Sequence, residues 1–302
     1  MATREQWISG ARLRTLPLAV APVLIGTGAA ISLGAHLHSS DRSTSWGWPE
    51  LGYALLALIV SLALQVAVNY ANDYSDGIRG TDDDRVGPFR LTGSKAATPQ
   101  QVKYAAFGCF GVAGLAGLIL VALSGHWWLL LVGVACVLAA WYYTGGKRPY
   151  GYAGLGEVMV FIFFGLVAVL GTTYTQVGSI SAAALAGAIG VGSLACAVLV
   201  VNNLRDVPTD ALAGKITLAV RLGEDGTRQL YLALVALPFV TAVVAAFGHP
   251  WALLALICLP LAVPAVKTVR SGARGLALLP VLAGTGRLAL VYALLLALGL
   301  AL

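Results

Sequence analysis

The chain has 302 residues, 59% of them hydrophobic and 11% charged, with a mean hydropathy of +0.84. Soluble domains carry about 25% charged residues, so this composition excludes a disordered chain and argues against a soluble globule. The formal net charge of +6, from 19 Lys and Arg against 13 Asp and Glu, reads first as a membrane-side bias, and no nucleic-acid partner is expected. The four cysteines (Cys109, Cys136, Cys196, Cys258) lie in apolar runs without Cys-x-x-Cys or Cys/His spacing. Neither a disulfide framework nor a zinc site is expected.

A spanning helix needs about 20 apolar residues. Such runs occupy roughly 16–34, 51–70, 104–124, 127–144, 155–173, 182–201, 229–247, 250–266 and 283–302. They predict an all-α membrane protein, a bundle of nine transmembrane helices forming one domain over 1–302. Arg12 and Arg14 precede the first run as in a signal peptide. No convincing Ala-x-Ala site ends that run, so it reads as a retained helix. With a cytoplasmic N-terminus, the connections sort the charges cleanly. Of the 19 Lys and Arg only Arg42 falls outside, together with all four histidines, His36, His38, His126 and His249. This orientation puts the C-terminus outside and the two long inner connections, 71–103 and 202–228, on the cytoplasmic side, where the active site is expected. The localisation that follows is multi-pass, in the cell (inner or plasma) membrane.

The acidic residues concentrate in those two connections. The first reads Asn69-Tyr-Ala-Asn72-Asp73-Tyr-Ser-Asp76-Gly-Ile-Arg79-Gly-Thr-Asp82-Asp83-Asp84-Arg85; the second reads Asn202-Asn203-Leu-Arg205-Asp206-Val-Pro-Thr-Asp210-Ala-Leu-Ala-Gly-Lys215. On a helix, Asn69, Asp73 and Asp76 share one face, and so do Asn203, Asp206 and Asp210. Pro208 stands inside the second set and is of a type that kinks or ends helices. A charged side chain at membrane depth costs about 2.5–3.5 kcal/mol, so two such sets ask for a compensating ligand. Mg²⁺ takes oxygen donors and completes its shell with phosphate oxygens. Two facing carboxylate sets suit two Mg²⁺ bridged by a diphosphate, with Arg79, Arg85, Lys147, Arg148, Arg205 and Lys215 offsetting the remaining phosphate charge. Blander readings stay open: Asp82–Asp84 as a solvated acidic loop, Lys147-Arg148 as a topology anchor, Arg12 and Arg14 as anchors, and Tyr142 and Tyr143 as membrane packing.

These two motifs resemble those of the UbiA superfamily of intramembrane aromatic prenyltransferases, marked by Asn-Asp-x-x-Asp after the second helix and Asp-x-x-x-Asp after the sixth. Asn72-Asp73-Tyr-Ser-Asp76 and Asp206-Val-Pro-Thr-Asp210 match. The stretches Arg85-Val-Gly-Pro-Phe-Arg90, Tyr143-Thr-Gly-Gly-Lys147-Arg148-Pro-Tyr-Gly-Tyr-Ala-Gly-Leu-Gly-Glu157 and Gly214-Lys215-Ile-Thr-Leu-Ala-Val-Arg-Leu-Gly223 resemble the branch that acts on 1,4-dihydroxy-2-naphthoate. The resemblance implies transfer of a polyprenyl group from an all-trans-polyprenyl diphosphate to that acceptor, with loss of CO₂ and diphosphate, giving demethylmenaquinol. It implies Asp73, Asp76, Asp206 and Asp210 as catalytic Mg²⁺-diphosphate ligands, with Asp82 as a further metal ligand or base. Asn69, Asn72 and Asn203 would support them. Lys147, Arg148 and Lys215 would contact the diphosphate or the acceptor carboxylate, with Arg79 and Arg85 behind them and Tyr143 lining the site.

Rival readings are a UbiA-type enzyme with another acceptor, such as 4-hydroxybenzoate, and a divalent-cation transporter, whose carboxylates belong at mid-membrane rather than at one face. A CDP-alcohol phosphotransferase needs both aspartate pairs in one stretch; here they lie some 130 residues apart, and that reading fails.

Overall fold

A computed structural model describes residues 2–37, 46–80 and 89–302. His38 and Arg42, between the first two apolar runs, and Asp82, Asp83, Asp84 and Arg85, after the second, lie outside the described residues. Within them the chain is helical, with no strand. In order come α1 (Arg4–Gly10), α2 (Pro17–Leu37), α3 (Trp48–Ile78), α4 (Pro99–Ser124) and α5 (Leu129–Tyr142). Then follow α6 (Gly156–Val160), a π-helical stretch (Phe161–Val167) and α7 (Ala168–Val177), which together make one continuous rod. The chain closes with α8 (Ala182–Leu212), α9 (Leu218–Ala246), a 3₁₀ stretch (Pro250–Cys258) leading into α10 (Leu259–Arg270), and a 3₁₀ turn (Gly275–Leu278) leading into α11 (Leu279–Ala301).

Local chemistry sets these boundaries. The hydroxyls of Thr98, Ser181 and Thr217 each accept the backbone N–H three residues on, starting α4, α8 and α9. Gly125 and Gly178 adopt left-handed backbone and end α4 and α7. Eight helical segments among the described residues are long and apolar enough to cross a bilayer, and α5, with 14 residues, is apolar but shorter. The protein is therefore a multi-pass membrane protein.

Two helices outrun their apolar stretches. The apolar runs ended near 70 and 201, yet α3 continues to Ile78 and α8 to Leu212, straight through Pro208. Each has 31 residues, about 46 Å at 1.5 Å per residue, against about 30 Å of hydrocarbon. The surplus is the polar end, and it stays helical because the protein itself supplies hydrogen-bond partners there. The connections 71–103 and 202–228 thus begin as helix rather than loop.

Two apolar clusters hold the bundle. The larger joins α2, α7, α8, α9, α10 and α11 around Ile25, Leu194, Tyr231, Leu288 and Tyr292. The smaller joins the N-terminal segment, α3 and α4 around Tyr70, Leu91, Val102 and Phe110. Where the π stretch meets α8, a Cβ on Gly165 would lie 2.8 Å from the Cα of Gly192, so the backbones touch and only glycine fits. Between the two clusters lies a cavity.

Candidate active site

The C-terminal ends of α3 and α8 meet at one pole of that cavity. Asp73 is fully buried, and its two carboxylate oxygens accept the backbone N–H groups of Leu91 and Thr92 at 2.7 and 2.8 Å. It fastens residues 91–92 onto α3. One turn on, Asp76 accepts the Tyr152 hydroxyl at 2.8 Å and lies 3.4 Å from Arg90 Nη2. Asn72 accepts the Thr144 hydroxyl at 2.8 Å, while Asn69 donates to the Ala11 carbonyl and the Thr15 hydroxyl, tying the N-terminal segment to α3.

The second motif is paired more tightly. Arg205 makes a two-pronged bond to Asp206, Nε and Nη2 each 2.7 Å from a carboxylate oxygen, and Nη2 also reaches Asn202 at 2.9 Å. Arg205 Nη1 is buried and finds no hydrogen-bond partner among the described residues. Lys215 Nζ lies 3.4 Å from Asp210, and its backbone N–H caps α8 on the Asp210 carbonyl at 2.8 Å. Asn203 donates to the buried Glu157 at 2.9 Å. Among the described residues no three Asp, Glu, His or Cys side chains stand close enough together to hold a metal ion alone.

Tyr152 links the two motifs. Besides its bond to Asp76, its ring faces Lys215 Nζ at 5.5 Å and the Arg79 guanidinium at 5.3 Å. Arg79 in turn donates to the carbonyls of Thr144 and Gly146. Tyr143 lines the cavity with its ring edge-on to Tyr150, whose hydroxyl donates to the Ala139 carbonyl at 2.7 Å; burial pushes the Tyr150 hydroxyl pKa up, so it stays a neutral donor. Lys147 and Arg148 stand exposed on the turn between Thr144 and Pro149, outside the cavity lining.

The cavity measures about 850 Å³. Its polar pole carries Asn72, Asp76, Arg90, Asn203, Arg205 and Lys215; the rest is mainly apolar and runs between α3, α4, α5, α7 and α8 as far as Thr175. Arg12 and Arg14, read from sequence as anchors, belong to this lining. Arg12 takes a left-handed backbone (φ 54°, ψ 59°), which turns the chain before α2 and carries both side chains over the pole. Sequence reasoning assigned no role to Tyr152, Glu157, Thr144 or Arg90. Tyr152 and Glu157 stand within a stretch already singled out, but their partners are more than 45 residues away in the chain.

A charged pole opening into a long apolar cavity suits an anionic head on a hydrocarbon tail, and comparisons with known proteins agree. The chain is 55% identical to the 1,4-dihydroxy-2-naphthoate octaprenyltransferase of Mycobacterium tuberculosis, over 97% of this chain and 96% of that one. It is 36% identical to the Escherichia coli protein of the same name, over 98% and 95%. The fold superposes on the apo structure of a UbiA homolog from Aeropyrum pernix with TM-score 0.69 at 13% identity, covering 91% of this chain and 94% of that one. A UbiA homolog from Archaeoglobus fulgidus bound to GPP and Mg²⁺ matches with TM-score 0.59 at 13% identity, covering 96% and 99%. Residues 19–272 match the model of the UbiA prenyltransferase family, and the chain belongs to that family.

Proposed function

We propose that this protein transfers a polyprenyl group from an all-trans-polyprenyl diphosphate to 1,4-dihydroxy-2-naphthoate, releasing diphosphate and CO₂ and forming demethylmenaquinol. The observation that carries this reading is the single cavity that joins the cationic and carboxylate pole to an apolar length; the named relatives supply the acceptor.

The residues fit divalent metal in the way Mg²⁺ is usually held, by one or two carboxylates with substrate phosphates completing the shell. Asp76 from the first motif, Asp206 and Asp210 from the second, and the amide oxygens of Asn72 and Asn203 would hold two ions. Asp73 would serve the metal pair by fixing α3 against residues 91–92, and Asp82 would add a ligand from the acidic loop. When bound, Mg²⁺ stabilises the charge that develops on the departing diphosphate. Arg205 Nη1, which has no hydrogen-bond partner among the described residues, would with Lys215 and Arg90 neutralise the remaining charge. Lys147 and Arg148 on the exposed turn, and Arg79 bonded to the Thr144 and Gly146 carbonyls of that turn, would add a second tier of cations, with Arg85 as a further candidate.

As the bond between the prenyl C1 and the diphosphate oxygen breaks, its electron pair leaves with the diphosphate. The allylic cation left behind would sit beside Tyr143, and the naphthoate ring carbon that bears the carboxylate attacks it, forming the new C–C bond. Loss of the carboxylate as CO₂ returns its bonding pair to the ring.

The same site supports the nine-span topology. The ends of α3 and α8 meet at one pole through Asp76, Tyr152, Lys215 and Asp210. Four segments separate those ends (α4, α5, the α6–α7 rod and α8), and an even number of crossings returns the chain to one side only if α5 is itself a crossing. Nine crossings would put the two termini on opposite sides of the membrane, and the sorting of Lys and Arg supports the N-terminus inside and the C-terminus outside, in one domain. The test supplies octaprenyl diphosphate with 1,4-dihydroxy-2-naphthoate or 4-hydroxybenzoate, with Mg²⁺ or excess EDTA. Mg²⁺-dependent product from the naphthoate alone is expected; prenylation of 4-hydroxybenzoate instead would reassign the acceptor.

A further inference from the structure

On the cavity lining, the free end of one amide is fixed by its neighbours. Gln65 of α3 is 5% exposed and lines the cavity. It stands two turns before Asn72, and so about 10 Å deeper than the polar pole. An amide's oxygen and nitrogen are told apart by what they face. The Ala11 carbonyl can only accept, so the Asn69 atom 2.9 Å from it is Nδ2, and the Asn69 oxygen lies at the other end. That oxygen also only accepts, so the Gln65 atom 3.4 Å from it is Nε2, which donates as well to the Thr15 hydroxyl at 3.1 Å. The Thr15 hydrogen is committed to the Arg12 carbonyl at 2.9 Å, so its oxygen accepts from both amides. This sequence of donors and acceptors leaves Gln65 Oε1 over: it is buried and accepts no hydrogen bond among the described residues.

Other uncharged polar groups of the lining are settled within the protein. Ser61 donates to the Ala19 carbonyl at 2.8 Å, Thr172 to Ala168 at 2.7 Å and Thr175 to Gly171 at 3.0 Å. A buried acceptor without a donor is costly, so Gln65 calls for a ligand that donates at this depth. A metal-bound diphosphate and a hydrocarbon tail offer no donor. A dihydroxynaphthoate has two hydroxyls. Its 1-hydroxyl, adjacent to the carboxylate, donates to that carboxylate internally, and the 4-hydroxyl is left to donate elsewhere.

We infer that Gln65 Oε1 accepts the 4-hydroxyl of 1,4-dihydroxy-2-naphthoate and thereby sets how the acceptor ring lies in the cavity. This rests on the acceptor reading above. With the 4-hydroxyl held at Gln65, the edge of the ring that bears the carboxylate turns toward the pole, where Arg12, Arg14 and Arg205 line the cavity. The carbon to be prenylated then faces the departing diphosphate. Asn69 and Thr15 act on the acceptor through Gln65, by holding its Nε2 and so presenting its oxygen.

The test measures dissociation constants by calorimetry in nanodiscs, with Mg²⁺ and diphosphate present. It compares 1,4-dihydroxy-2-naphthoate with 1-hydroxy-2-naphthoate, which lacks the 4-hydroxyl. In the unsubstituted protein, loss of that hydroxyl is expected to weaken binding about tenfold or more, because the buried Oε1 is left unpaired. Gln65→Met, unbranched and of similar length, is expected to bind the two compounds within about twofold of each other, with the KM for octaprenyl diphosphate changed by less than about twofold. Equal affinities in the unsubstituted protein overturn the inference, and that comparison holds even where Gln65→Met fails to fold. A preference for the diol that survives undiminished in Gln65→Met overturns it as well. Failure of the unsubstituted protein to bind or prenylate 1,4-dihydroxy-2-naphthoate overturns the acceptor reading itself, and the Gln65 contact with it.

Discussion

The Tyr152 hydroxyl donates to Asp76 at 2.8 Å, and this bond fixes the first acidic motif relative to the second. The same ring is covered by Lys215, which pairs with Asp210. A hydrogen bond to a charged group contributes about 1.5–3 kcal/mol, equivalent to about 10–100-fold in rate if it acts only in the transition state. Tyr152→Phe is therefore expected to lower kcat by roughly that factor, with the apparent unfolding temperature little changed. Steady-state kinetics with octaprenyl diphosphate check it; unchanged kcat would remove Tyr152 from the site.

Asp73 and Asp76 should behave differently although they stand one turn apart. Asp73→Ala leaves the Leu91 and Thr92 amides without their acceptor, at about 1–3 kcal/mol for each buried donor. The apparent unfolding temperature in detergent is expected to fall, and amide exchange at 91–92 to quicken. Asp76→Asn keeps the shape and a hydrogen-bond acceptor, so the fold should persist while Mg²⁺-dependent turnover is lost. Equal thermal losses in both variants would contradict this division of labour.

Arg205 and Asp206 form a buried ion pair, their side chains 1% and 5% exposed. Removing one partner of such a pair costs about 3–5 kcal/mol because the other stays buried and charged. Asp206→Ala is expected to destabilise strongly. The double replacement Arg205→Met, Asp206→Leu should recover much of that stability yet remain inactive, as thermal unfolding followed beside the activity assay would show.

Close backbone packing gives a prediction independent of catalysis. A side chain at Gly165 would clash with the Ala188 carbonyl at 2.7 Å, and overpacking of this kind costs about 1–3 kcal/mol. Gly165→Leu should lower the apparent unfolding temperature, whereas Gly248→Ala, where a Cβ meets nothing within 4 Å, should not.

Much of this was legible in the sequence, for physical reasons that also mark the limit. The apolar runs and the sorting of basic residues reflect a bilayer, a simple solvent that writes its demands onto consecutive residues. The faces Asn69/Asp73/Asp76 and Asn203/Asp206/Asp210 follow from helical period alone. Side-chain partners do not: Asp73 holds two amides from 18 and 19 residues on, and Tyr152 reaches Asp76 only after α4 and α5, which separate them in the chain, have packed. Arg12 and Arg14 looked like anchors because charge before an apolar run is what anchors look like; the left-handed turn at Arg12 that redirects them is a tertiary feature. Lys147 and Arg148 look equally well placed in sequence, yet they stand on the exposed turn while Arg205 and Lys215 face the cavity.

In the proposed reaction one cavity brings a polyprenyl diphosphate and a naphthoate together and exchanges a carboxylate for a prenyl group. The most direct measurement uses carboxyl-labelled 1,4-dihydroxy-2-naphthoate with octaprenyl diphosphate and Mg²⁺ in nanodiscs, following labelled CO₂ and prenylated product together. One-to-one formation, abolished by EDTA and by Asp76→Asn, is the predicted result. Prenylated product that keeps the label, or diphosphate release without any naphthoate product, would contradict it.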